Sequence, residues 1–295
     1  MEFRTIVDIP ESPWKIEPCE RMLFIGSCFA DNIGKRFTEE KFRAVVNPYG
    51  VMYNPASILH TVRRLTQDDA MPFSPDEQGT AVMTLGTNHV YILKETGEIV
   101  DNCQKRPQRL FEERELSITE CAAYLDKAIQ LISHRFPKTR FILTVSPIRY
   151  RKYGYHESQL SKATLMLAID SLVKAQTSTP GRNSTTVDAQ RITYFPSFEI
   201  INDELRDYRF YKPDMLHPSD QAVDYIFERM ASTYFSDATT AFLKEWKPIR
   251  EALNHRPLHP ESEEYRLFRI KTEERLKQLE DKYNGRPQGP QPANH

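Results

Sequence analysis

Met22-Leu23-Phe24-Ile25-Gly26-Ser27-Cys28-Phe29-Ala30 is an apolar run that breaks at a glycine and resumes in another rhythm. Beyond the break, Phe29, Ile33 and Phe37 recur at four-residue spacing, the mark of a buried helix face. The stretch therefore predicts a strand, an abrupt turn and a helix. Gly26 permits the bend and the small Ala30 permits close packing. Ser27 then stands at the carboxyl end of a strand and beside the positive end of a helix, where free backbone N–H groups stabilise a developing negative charge. Two readings of Ser27 stay open on local sequence: a nucleophile, or the N-cap of the helix.

A second stretch, Asp214-Met215-Leu216-His217-Pro218-Ser219, precedes another helical pattern marked by Ala222, Val223, Ile226, Phe227 and Met230. Histidine suits a general base near neutral pH, and a carboxylate three residues earlier can hold its imidazole in one tautomer. Ser27, His217 and Asp214 thus supply the residue types of nucleophile, base and orienting group. Taken alone, Asp-x-x-His also suits a helix cap or a surface polar contact.

The two stretches together resemble the GSCFA family, regarded as a branch of the SGNH, or GDSL-like, serine hydrolases. Asn47-Pro48-Tyr49-Gly50, Tyr53-Asn54-Pro55, Thr144-Val145-Ser146-Pro147, Gln159-Leu160-Ser161-Lys162-Ala163-Thr164 and Asp203-Glu204-Leu205-Arg206-Asp207-Tyr208-Arg209 look like further family blocks in family order. The resemblance runs from about Phe24 to Met230. It implies Ser27, Asp214 and His217 as catalytic residues, the backbone N–H groups of Ser27 and Gly50 as oxyanion donors, and an asparagine amide as a third. Asn102 is the first candidate for that amide and Asn88 the second; a turn asparagine is the alternative for both. Where the family usually continues Gly86-Thr87 with Ala-Trp and Asn102-Cys103 with His-Lys, this chain has Asn88-His89 and Gln104-Lys105. His89 is a candidate pocket residue, or an ordinary strand histidine.

Composition sets the outer bounds. Hydrophobic residues at 39% and aromatics at 11% of 295 residues suit one globular domain with an appendage. Forty basic against 41 acidic residues leave a net charge of −1, so no general attraction to nucleic acid or anionic membrane is expected. Cys19, Cys28, Cys103 and Cys121 form no Cys-x-x-Cys pair and read as reduced thiols. No run approaches the ~20 apolar residues that cross a bilayer. With no secretory pattern after Met1, the expected location is cytoplasmic.

Taken in order, residues 1–20 read as a proline-rich, extended lead-in and 21–236 as the hydrolase domain. Strand patterns at Ala44-Val45-Val46, Phe141 to Val145 and Ile192 to Phe195 alternate with helical patterns at Asn54 to Leu65, 118–135 and 157–176. The last of these helices is expected to bury Leu160, Ala163, Leu167, Ala168 and Leu172. This alternation predicts a three-layer α/β/α sandwich with a mostly parallel, flavodoxin-like central sheet. Ala81 to Asn102 reads as a β-hairpin insertion, with Val82 to Leu85 and Val90 to Leu93 strand-like and Glu95-Thr96-Gly97-Glu98 a turn into Ile99-Val100. Arg149 follows a central strand at the ligand-binding rim, where it suits an anionic or hydroxylated substrate or a solvated loop. Thr177 to Asn183 reads as a loop. Residues 237–284 form a helical extension whose apolar stripe, Tyr265, Phe268, Leu276, Leu279 and Tyr283, suits docking on the domain or self-association. A disordered tail at 285–295 is expected.

The function that follows is a serine esterase, or an acyltransferase using the same acyl-enzyme, acting on an O-acyl ester such as an acetylated carbohydrate. No cofactor or metal is needed: His255 and His259 are spaced for a helix, but Pro257 stands between them. The rival reading is a non-catalytic glycan-binding or scaffold module on the same fold.

Overall fold

A computed structural model describes residues 3–101, 106–177 and 190–283. Asn102, Cys103, residues 178–183 of the expected loop and the tail at 285–295 lie outside the described residues.

In chain order the elements are β1 (Arg21–Gly26), α1 (Cys28–Glu39), β2 (Arg43–Val46), α2 (Pro55–Gln67), β3 (Gly79–Leu85), β4 (His89–Leu93), β5 (Glu98–Val100), β6 (Phe111–Glu115), α3 (Ile118–Arg135), β7 (Thr139–Val145), α4 (Tyr155–Thr177) and β8 (Ile192–Tyr194). A short turn, α5 (Ser197–Glu199), runs into a π-helical segment, Ile200–Leu205, before α6 (Asp220–Tyr234), α7 (Asp237–Leu253) and α8 (Glu263–Tyr283). Five strands form one parallel sheet in the order β2-β1-β3-β7-β8. This is the flavodoxin-like order, in which the direction of winding reverses between β1 and β3.

The apolar runs explain the layers. A parallel strand covered on both faces must be hydrophobic at every position. In β1, Leu23 and Ile25 join the side chains of α2, α3 and α4, whereas Met22 and Phe24 join those of α1, the π-helical segment and α6. The result is the expected three-layer sandwich with two cores. At the amino edge of the sheet, Arg140 at the start of β7 donates to both carboxylate oxygens of Glu20, just before β1, at 2.8 and 2.7 Å. Thr80 in β3 donates to the same carboxylate, so one buried acid ties three strands together.

The structure keeps the expected turn and takes one strand out of the insertion. Val82 to Leu85 belongs to β3, which lies between β1 and β7 in the parallel sheet and is buried throughout. After it the Gly86 and Thr87 N–H groups both donate to Tyr53 O and lead the chain out of the sheet. The hairpin is β4–β5, joined through the expected turn from Glu95 to Glu98, and β6 completes a separate antiparallel sheet in the order β5-β4-β6. β6, Phe-Glu-Glu-Arg-Glu, has no strand pattern in sequence because its outer face is charged.

α4 is also turned differently from expectation. Leu160 and Leu167 are 49% and 53% exposed, and Ala163 is exposed too. Ser161, Lys162, Leu165, Ala168 and Ile169 face inward instead. Apolar residues lie on more than one side of this helix, so its periodicity does not select a face. Polar Ser161 and Lys162 are tolerated inside because each finds a hydrogen bond, to Thr87 Oγ1 at 3.0 Å and to Ser146 O at 2.8 Å.

The extension docks on the domain. Phe242, Trp246 and Ile249 of α7 and Leu279 of α8 form a third core. Trp246 Nε1 donates to Glu39 O at the end of α1, and Arg250 pairs with Glu40. Among the described residues no helix is long and apolar enough to cross a membrane.

Candidate active site

Gly26 ends β1 at φ +141°, a conformation that L side chains rarely adopt, and a Cβ there would lie 2.0 Å from Thr84 O. Only glycine lets the chain bend so close to β3. Its N–H donates to Asn47 Oδ1 and its carbonyl accepts from Met52 N–H, so the segment after β2 braces the bend.

Ser27 follows as the N-cap of α1, with Oγ accepting from Phe29 N–H at 3.2 Å. Oγ also shares a hydrogen bond with Thr84 Oγ1 at 3.1 Å, and Ser27 is 1% exposed. The capping role is therefore realised. It does not exclude the nucleophile, because capping uses a lone pair and leaves the hydroxyl proton available. Thr84 is the residue that sequence reasoning missed. It lies opposite Gly26 in the β1–β3 register, which nothing near Ser27 in sequence discloses.

Asp214 and His217 are joined as the spacing suggested. His217 Nδ1 lies 2.6 Å from Asp214 Oδ2, and Asp214 Oδ1 accepts the N–H groups of Leu216 and His217. These hydrogen bonds, the backbone N–H of His217 first, hold the Asp214 carboxyl down at about 2, so it is ionised across the neutral range. Nε2 of His217 has no hydrogen-bond partner among the described residues. Nor does any hydrogen bond join His217 to Ser27. The two belong to the same layer: α1 and α6 pack against one face of the sheet, and Arg36 of α1 reaches Asp220 of α6 at 3.8 Å.

Arg149 secures the His217 loop. Its backbone N–H donates to Leu216 O at 3.0 Å and its guanidinium to Met215 O at 2.9 Å. The next residue, Tyr150, places its ring 6.2 Å from that of Tyr53, whose hydroxyl is 3.5 Å from Cys28 Sγ. The loop after β7 thus spans from the Ser27 turn to the histidine loop.

The expected oxyanion donors are engaged elsewhere. Gly50 is exposed at φ +92°, and its N–H donates to Asn47 O at 2.8 Å. The Ser27 N–H donates to Thr84 O and Oγ1. Asn88 is 2% exposed, and its amide donates to Leu116 O. Asn102 lies outside the described residues. Cys28 N–H, at the positive end of α1, has no acceptor among the described residues and is a donor that the sequence reading does not name. His89 begins β4, 8% exposed, stacked on Tyr153 at 4.0 Å, and burial holds its imidazole below the ordinary range.

Against known proteins, the GSCFA family model matches residues 21–75 and 73–230. The chain belongs to the GSCFA family. A second model, of the GSCFA domain protein, C-terminal domain, matches residues 246–286, which hold the last turns of α7 and all of α8. No curated protein matches. Among solved structures the chain is similar to one described as "The structure of a putative platelet activating factor from Streptococcus pneumonia", at 17% identity and a TM-score of 0.43, covering 72% of this chain and 84% of that one.

Proposed function

We propose that this GSCFA protein is a serine ester hydrolase or acyltransferase of the SGNH type, acting on an O-acyl group, such as acetyl, carried by a carbohydrate or similar small ester. The observation that carries the reading is the Asp214–His217 pair: ionised carboxylate on Nδ1, Nε2 without a partner among the described residues, in a loop tied by Arg149 to the rim where Ser27 follows β1. In the mechanism His217 Nε2 removes the Ser27 proton as Oγ attacks the ester carbonyl, and Asp214 stabilises the imidazolium. The Cys28 N–H and the first turn of α1 face the charge that develops on the carbonyl oxygen. Protonated His217 then returns its proton to the leaving alcohol, and water or an acceptor hydroxyl releases the acyl group.

Labelling with a fluorophosphonate, followed by mass spectrometry of the tagged peptide, tests this. The tag is expected on Ser27, and Ser27→Ala and His217→Ala are each expected to lower turnover of an acetyl ester by at least ~10³-fold with the fold intact. A tag on any other residue sinks the assignment.

One observation favours the second reading, a non-catalytic glycan-binding or scaffold module: Ser27 Oγ is nearly buried and bonded to Thr84 rather than to His217. Such a module would bind its glycan equally well as wild type and as Ser27→Ala, and neither would turn over an ester.

A further inference from the structure

Below the histidine loop lies a cavity of about 200 Å³ whose lining includes Arg149, Asn202, Arg206, Asp207, Tyr208 and Tyr211. Most other arginines packed on the domain are paired with carboxylates: Arg36 with Asp224, Arg140 with Glu20, Arg229 with Glu204 and Arg250 with Glu40. Arg149 and Arg206 are not, since no carboxylate oxygen among the described residues lies within 4 Å of either guanidinium. The one acid on the wall, Asp207, is turned to Arg209, whose backbone N–H it accepts at 2.8 Å. Two unpaired guanidinium groups and one acid give this wall a net charge of +1.

The cavity is built, not incidental. Arg149 lies over the rings of Tyr155, Tyr208 and Tyr211 at 4.4, 5.5 and 5.5 Å and donates to Met215 O, contacts that hold the guanidinium in place and leave its remaining N–H groups to bind. Arg206 ends the π-helical segment at φ +46°, its N–H bonded to Ile201 O, so its side chain departs where the helix stops. π-helical turns are rare and frequent at functional sites.

We propose that this cavity is a carboxylate subsite: the substrate carries one carboxylate, as an acylated uronic acid or other sugar acid does, and Arg149 and Arg206 bind it while the ester lies toward Ser27 and His217. The single negative charge matches the wall, and the planar fork of a guanidinium matches a carboxylate. About 200 Å³ is smaller than a whole-ligand pocket and suits one substituent. The assignment rests on the esterase reading for the ester's position, but the anion site stands on its own geometry.

The experiment has two arms. In the first, binding of glucuronate, glucose and glucose 6-phosphate to the full chain is followed by NMR or calorimetry, which needs no turnover. Glucuronate is expected to bind at least about tenfold more tightly than glucose, as charge-assisted hydrogen bonds allow. Arg206→Asn, chosen because asparagine tolerates positive φ, is expected to remove that difference. Arg209→Asn is expected to keep it. In the second arm, kcat/KM is compared for an acetylated glucuronate and its neutral methyl ester. The acid is expected to be preferred about tenfold through KM, with the preference lost in Arg206→Asn. Equal binding of glucuronate and glucose by the wild type overturns the proposal whatever the variants do, as does a preference that survives Arg206→Asn or stronger binding of the phosphate. If no ester is turned over but glucuronate binds and depends on Arg206, the esterase reading fails and the carboxylate subsite stands.

Discussion

At the scale of single residues, the candidate site depends on a loop pair, Asp214 and His217, and on a turn at Ser27 that Thr84 and Asn47 brace. Asp214 and His217 meet because they stand three positions apart in one loop, and Ser27 announces itself by standing between a strand and a helix. Thr84 and Asn47 do not, since each reaches the Ser27 turn only through strand register. Lys162 is a further residue that patterning misjudges: fully enclosed, it donates to Ser146 O and faces the Phe198 ring at 5.9 Å. Burial lowers its amine from the ordinary 10.5 to about 7. Below pH 7 folded and unfolded chains both hold the proton, and folding bears the whole cost of a buried charge. Between about 7 and 10.5 the unfolded chain holds more protons, so stability rises with pH by up to ~1.4 kcal/mol per unit. Lys162→Met is expected to abolish this rise. Urea unfolding at pH 6, 7, 8 and 9 checks it, and parallel curves for the two proteins would rule it out.

At the scale of elements, the junction between β1 and α1 depends on Gly26. A methyl group there collides with the Thr84 backbone and occupies an unfavourable φ, so relief requires β1 and β3 to separate. Gly26→Ala is expected to cost more than ~3 kcal/mol, enough to lower the thermal midpoint by about five degrees or more in a chain of this size. Gly97→Ala, in the β4–β5 turn with no atom within 4 Å of its Cβ, is the natural control and should cost much less. Calorimetry of both variants decides between close approach and φ alone, because both positions have positive φ. The same scale shows why sequence does not assign β3 to the parallel sheet. Its apolar residues suit a strand of the insertion as well as a central one, and the hydrogen bonds of Gly86 and Thr87 to Tyr53 O separate it from β4. α4 likewise takes its buried face from what the sheet and α3 leave open, not from its own rhythm.

At the scale of the whole molecule, the extension is joined to the sandwich through the third core and through bonds that Thr239, Trp246 and Arg250 make to it. Trp246 is 4% exposed, fills the third core and donates to the last turn of α1. Trp246→Ala is expected to cost ~3–5 kcal/mol at that interface. Limited proteolysis should then release α7 and α8 before the parallel sheet is cut; simultaneous loss of both would show that the extension and the sandwich unfold as one. The sequence by itself determined the parallel sheet, the three layers, the turn at Ser27 and the Asp214–His217 pair, because each depends on residues close together in the chain and on burial patterns that alternate or repeat. Tertiary structure alone decided that Thr84 meets Ser27, that β3 enters the sheet, which face of α4 is buried and that Arg149 and Arg206 share a cavity. Those outcomes join segments dozens of residues apart, and their energies come from register, close packing and desolvation, which exist only once the chain has folded.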